Sequence, residues 1–140
     1  MTRKRQQKKA LGTRGIAAQI IREVHFNQHS LATVLPEFLE HVDVEKHAFI
    51  QLLSYGSLRW FFKLDALLKK LLKKAPRAKD NIIYYLLIVG LYQLIYSDKA
   101  DYVVVKETVS ELKGLDRIWA KGLINAILRG FIRDQKKLLK

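Results

Sequence analysis

At 140 residues, with 49% apolar and 28% charged side chains, the chain has the length and composition of one globular domain with a single core. Its net charge of +13, from 26 basic against 13 acidic residues, points to a polyanionic partner, either nucleic acid or an anionic membrane surface. The lack of any cysteine excludes disulfides, thiolate metal sites and a thiolate nucleophile from this chain, and fits a cytoplasmic protein.

Residues 1–11 read as a basic, flexible arm, because Lys and Arg dominate and no acid offsets them. No apolar stretch follows those charges, so the arm is not a secretory signal. From residue 12 to 140 the pattern is one helical domain. Ile16, Ala17, Ile20, Ile21 and Val24 recur at three- and four-residue spacing and predict a first helix, with Thr13 as N-cap. Ser30 is placed to cap a short second helix, in which Pro36 lies near the start or bends it.

Asp43 is read as the cap of a longer segment. Ala48, Phe49, Leu52, Leu53 and Leu58 are expected on its inner face, with Gly56 as a bend or close contact. The stripe continues through Phe61, Leu64, Leu67, Leu68, Leu71 and Leu72, backed by lysines, and Pro76 closes it. Asp80 is read as the cap of the helix from Asn81 to Tyr96, which is apolar nearly all round and so belongs at the centre of a bundle. That run is shorter than the roughly 20 residues a bilayer span needs and contains Gly90 and Gln93, so it is not read as a membrane segment. A further helix runs from Asp101 to Lys113 with Gly114 as its stop, and Asp116 opens the last, through Trp119, Leu123, Ile127 and Phe131. No β alternation is sustained. The fold class is all-α, a compact bundle of about six to seven helices.

No catalytic motif stands out. His25 and His29 share an i, i+4 spacing without a third ligand, so no metal is expected. Gly-rich phosphate loops and nucleophile elbows are missing from the sequence. Glu107 and Glu111 are an i, i+4 carboxylate pair of a kind common on helix surfaces.

Three basic clusters are the stronger signal. Arg3, Lys4, Arg5, Lys8, Lys9 and Arg14 form the first, beside a helix N-terminus whose free N–H groups also suit phosphate. Lys69, Lys70, Lys73, Lys74, Arg77 and Lys79 form the second. Arg129, Arg133, Lys136 and Lys137 form the third.

Specific polar residues are embedded in apolar runs at GLYQLIY (Gly90 to Tyr96), VVVKETVSELK (Val103 to Lys113) and LINAILR (Leu123 to Arg129). Together with RGIAAQIIREV (Arg14 to Val24) and LLSYGSLRW (Leu52 to Trp60), these phrases resemble, in order and spacing, the NusB-like family of all-α RNA-binding domains. The likeness covers nearly the whole chain. In the family's first helix an arginine precedes small residues that permit close packing, the place of Arg14 here.

Two groups carry this domain: stand-alone transcription antitermination factors, and the N-terminal domains of 16S rRNA cytosine-carbon-5 methyltransferases. The antitermination factors typically read Glu where this chain has Gln93, and Asp where it has Arg129. The Tyr55, Gly56, Leu58, Arg59 pattern is also methyltransferase-like. The family usually has Asn before its glutamate, where this chain has Lys106, and Arg in the stretch that here is wholly apolar (Leu86 to Val89).

The resemblance implies a non-catalytic RNA-binding and targeting domain, with 16S rRNA as partner and Lys140 at a boundary before a linker and a catalytic domain. S-adenosylmethionine would be the cofactor of that other domain, since the family's chemistry adds a thiolate that this chain lacks. The second reading is an antitermination factor that binds RNA and a ribosomal protein. Arg3, Lys4, Arg5, Lys8, Lys9, Arg14, Arg59, Arg129 and Arg133 are the expected RNA-binding residues. Gln93, Glu107 and Asn125 are expected to lock helix packing, with Asn125 buried.

Overall fold

The structure, a computed structural model, describes residues 11–140. Among them lie seven α-helices and three single 3-10 turns, with no strand. The helices are α1 (Thr13–His25), α2 (Leu31–Leu39), α3 (His47–Arg59), α4 (Phe61–Leu71), α5 (Ile82–Tyr96), α6 (Asp101–Gly114) and α7 (Lys121–Leu138). The all-α expectation holds. The arginines and lysines at positions 3, 4, 5, 8 and 9 lie outside the described residues.

α5 is the axle of the bundle. Eleven of its residues, Ile82 to Gln93 apart from Tyr84, are buried, and it touches α1, α3, α4, α6 and α7. A helix apolar on every side can satisfy itself only by being surrounded, and burial of each Leu or Ile contributes about 1.5–3 kcal/mol. A smaller cluster of Ile20, Val34, Leu35, Leu39 and Ile50 joins α1, α2 and α3. α3 crosses α5 at Gly56, where any Cβ would collide with the hydroxyl edge of the Tyr92 ring. Gly56 is therefore a contact point, with α3 continuing past it to Arg59.

Several local expectations are corrected. Ser30 does cap α2, its Oγ accepting from Ala32 N at 3.1 Å. Pro36, however, sits in the interior of α2. Gly12, with no side chain to bond, holds the N-cap position of α1 in place of Thr13. Asp43 precedes a 3-10 turn and makes no side-chain cap bond. The inner face of α3 is Ile50, Leu53, Ser54 and Ser57, while Ala48 and Leu52 face out. A helix turns about 100° per residue, so a one-residue error in phase moves the stripe.

Asp80 ends a 3-10 turn. Its carboxylate pairs with Arg117 Nε at 2.8 Å, tying the α4–α5 and α6–α7 connections together. After α6 the left-handed residue is Asp116, at φ 59°, not Gly114. Arg117 N then donates back to Leu112 O at 2.8 Å and closes the helix. Trp119 is exposed, 64% of its surface being open, because it lies in the turn ahead of α7 and not on its inner face. α7 runs unbroken through Gly122, and its irregular backbone is at Asp134.

Candidate nucleic-acid interface

Two polar systems occupy the α1–α5–α6–α7 side of the bundle, one inside and one outside. The inner one begins at Arg14. Only 8% of its surface is exposed, its Nε donates to Gln93 Oε1 at 2.9 Å, and its guanidinium lies 5.3 Å from the Phe49 ring centroid. Burial lowers its pKa from the ordinary value, and the charges of Glu107 and Glu111 oppose that shift. Arg14 is thus turned into the core. This corrects its expected place on the RNA-binding surface, because the small residues Gly15, Ala17 and Ala18 bring α1 tightly against its neighbours.

Glu111 completes the system. It is buried, and its Oε1 accepts from Gly12 N at 2.8 Å. The N-terminus of α1 therefore already holds an anion, supplied by α6, where the sequence suggested a phosphate. Gly12 and Gly15 both lack the Cβ that would collide with this carboxylate. Glu107, one turn earlier on α6, is only half-buried. Of the two, Glu111 is the structural one, a distinction that the i, i+4 spacing did not reveal. Gln93 is fully buried and also donates to Val89 O at 3.3 Å, consistent with a packing role.

The outer system is a cleft of about 580 Å³ between α6 and α7. Lys106, Lys121, Arg129 and Arg133 line it together with Tyr102 and Asn125, and Asp101 is the one acid among the described residues that line it. All four cations are exposed, as is 75% of Tyr102. The cleft brings together the expected Arg129, Arg133 and Asn125, and adds Lys106, Lys121 and Tyr102. The signal for these was in the spacing. Tyr102 and Lys106, and then Lys121, Asn125, Arg129 and Arg133, recur every four residues and so share a face of each helix.

Asn125 is half-buried rather than enclosed. Its Nδ2 donates to Lys121 O at 3.1 Å and its Oδ1 accepts from Arg129 Nε at 3.4 Å. That corrects the expectation of a buried residue: position 125 sits at the edge of the stripe defined by Ile124, Ile127 and Leu128. Asn125 instead orients Arg129 along the cleft.

Arg59 lies elsewhere, exposed at the end of α3 with its guanidinium 5.5 Å from the Trp60 ring centroid. The middle lysine cluster is solvated, and Lys69 within it pairs with Asp65 at 3.0 Å. His25 and His29 do not converge. The first is hydrogen-bonded to the Tyr85 hydroxyl, 2.7 Å from its Nδ1. The second pairs with Glu23 at 2.9 Å. No helix among the described residues is long and apolar enough to cross a membrane.

An all-helical bundle built on a central apolar helix defines the class: a helical domain that presents a cationic cleft along one side. The chain belongs to the NusB family, which it matches over residues 12–133. It is similar to the ribosomal RNA small subunit methyltransferase B of Cronobacter sakazakii, 39% identical over 132 residues. It is likewise similar to the proteins of the same name from Escherichia fergusonii, at 37%, and an Escherichia coli strain, at 38%. These alignments take in 94% of this chain and 31% of each relative, so the chain spans about a third of the length of the curated relatives it matches.

Proposed function

We propose that this chain is the RNA-binding, targeting domain of an S-adenosylmethionine-dependent 16S rRNA cytosine-C5 methyltransferase, placed N-terminal to the catalytic domain. The observation that carries this reading is the α6–α7 cleft, in which four exposed cations flank Tyr102 and Asn125. Guanidinium and ammonium groups bind phosphate through charge-assisted hydrogen bonds and release counterions as they do so. The names of the similar proteins supply the RNA class. With rRNA as partner, the domain works in the cytoplasm. The cofactor and the chemistry belong to the catalytic domain, and this chain contributes affinity and placement.

The test is titration of a 16S rRNA fragment at increasing salt. Tight binding at low salt is expected. Four phosphate contacts on single-stranded RNA give a slope of about −3 in log K against log salt. No binding at low salt, or an affinity indifferent to salt, would overturn the proposal. Reading the coding sequence past Lys140 tests the other half. A cofactor-binding domain with cysteines is expected there. A stop codon, together with capture of a ribosomal protein, would favour an antitermination factor instead.

A further inference from the structure

We propose that Trp60, with Arg59 and Lys63 beside it, is a nucleobase-stacking site for single-stranded RNA, separate from the α6–α7 cleft. This rests on the RNA-binding reading above and adds to it a second contact of a different kind.

The site is built as a ladder of three aromatic rings that climbs from core to surface. Tyr92, only 8% exposed, lies over Gly56 where α3 and α5 cross. Tyr96, one turn later on α5, has its ring centroid 5.5 Å from that of Tyr92. Trp60 lies nearly parallel on Tyr96, at 5.0 Å between centroids and 13° between planes. It is the outermost ring, 38% exposed, at the single residue that separates α3 from α4. The indole is stacked on Tyr96, the Arg59 and Lys63 cations lie over the ring, and 38% of the residue stays open beside them. The ring is held flat from beneath, and a planar ligand laid on it loses little side-chain freedom.

Cations frame the ladder. The Arg59 guanidinium is 5.5 Å from the Trp60 centroid, and Lys63 Nζ is 6.0 Å from Trp60 and 5.4 Å from Tyr96. Tyr55, one turn before Arg59 on α3, is a further aromatic with 55% of its surface open. A ligand that offers flat π-faces joined by anionic links matches this arrangement, and single-stranded nucleic acid is such a ligand. A purely apolar partner surface would gain nothing from the two cations. The +13 charge of the chain favours the polyanion further.

The chain has two tryptophans, so Trp119→Phe leaves Trp60 as the only indole. That variant would be titrated at low salt with a 12-nucleotide oligouridylate and with an abasic ribose-phosphate strand of equal length. Saturable quenching of Trp60 emission by oligouridylate is expected, with about tenfold weaker binding and little quenching by the abasic strand, the order of one base–aromatic stack. Trp60→Leu should bind labelled oligouridylate about tenfold more weakly and the abasic strand unchanged. If Trp60→Leu does not fold, as judged by circular dichroism, the emission of the Trp119→Phe protein decides alone. Saturated binding of oligouridylate with Trp60 emission unmoved would overturn the stacking site and leave the RNA-binding reading standing. Failure of both strands to bind at low salt would overturn both.

Discussion

Arg14 and Gln93 stand 79 positions apart in the chain, and their side chains meet inside the bundle, Nε donating to Oε1 at 2.9 Å. The bond crosses from α1 to the central helix where both residues are buried. An arginine this enclosed is costly unless its charge is answered, and Glu107 and Glu111 on α6 answer it. The pair joins α1 to α5 and is turned away from the surface. Arg14→Leu leaves the Gln93 oxygen unpartnered, and unfolding in urea should show a loss of about 1–3 kcal/mol. RNA affinity, measured where the variant is still folded, should not change.

Glu111 caps α1 from another helix, through Gly12 N. Glu111→Ala removes the anion from that N-terminus and one of the two negative charges that offset Arg14, and should cost about 1–3 kcal/mol in the same assay. Glu107→Ala, at a half-buried position one turn away from that cap, should cost distinctly less. Equal costs would show that the two carboxylates share the role.

The α3–α5 crossing depends on Gly56. Gly56→Ala drives a methyl group into the hydroxyl edge of Tyr92, and should destabilise by at least about 1–3 kcal/mol, with partial recovery when Tyr92→Leu is added. Gly122→Ala is the control, since nothing lies within 4 Å of a Cβ there. It should stabilise α7 by about 0.5–1 kcal/mol.

The cleft cations are exposed and do not support the core. Arg129→Ala combined with Arg133→Ala should leave the melting temperature within a degree or two. The salt slope of RNA binding should fall in magnitude by about 1.4, or about 0.7 for each phosphate no longer neutralised. An unchanged slope would place the phosphates elsewhere on the protein.

Tyr85 is held in its neutral form, its pKa raised first by burial and then by the charge of Asp65, with Arg22 opposing. The unfolded chain loses this proton near pH ~10 and the folded one at higher pH. Above pH ~10 the folded state therefore binds more protons, and stability falls as pH rises. Urea midpoints measured between pH 9 and 11 should decline less steeply in Tyr85→Phe than in the parent.

Helix number, order and the central place of α5 are legible in the sequence because periodicity and all-round apolarity are local properties of the chain. The four-residue stripes on α6 and α7 are legible in the same way, although Lys106 and Lys121 gain a shared meaning only when the cleft joins them. Asp116 escapes such a reading because a left-handed non-glycine residue leaves little trace in sequence, and Trp119 because a turn displaces it from the inner face of α7.

The sequence by itself determined that this is a helical bundle of the NusB type with a large positive charge, since spacing and motif order survive without coordinates. Only the tertiary structure decided which polar residues face inward. Arg14 and Arg129 both stand in helical motifs, yet one is sealed against Gln93 and the other lines an open cleft. Glu107 and Glu111 differ by one turn, yet only Glu111 reaches Gly12, 99 residues away along the chain. The physical reason is that helical periodicity sets the spacing of a face, whereas burial depends on the rotation of each helix against neighbours remote in sequence. The pairing of Trp60 with Tyr96 was settled in the same way, by the crossing of α3 and α5 at Gly56.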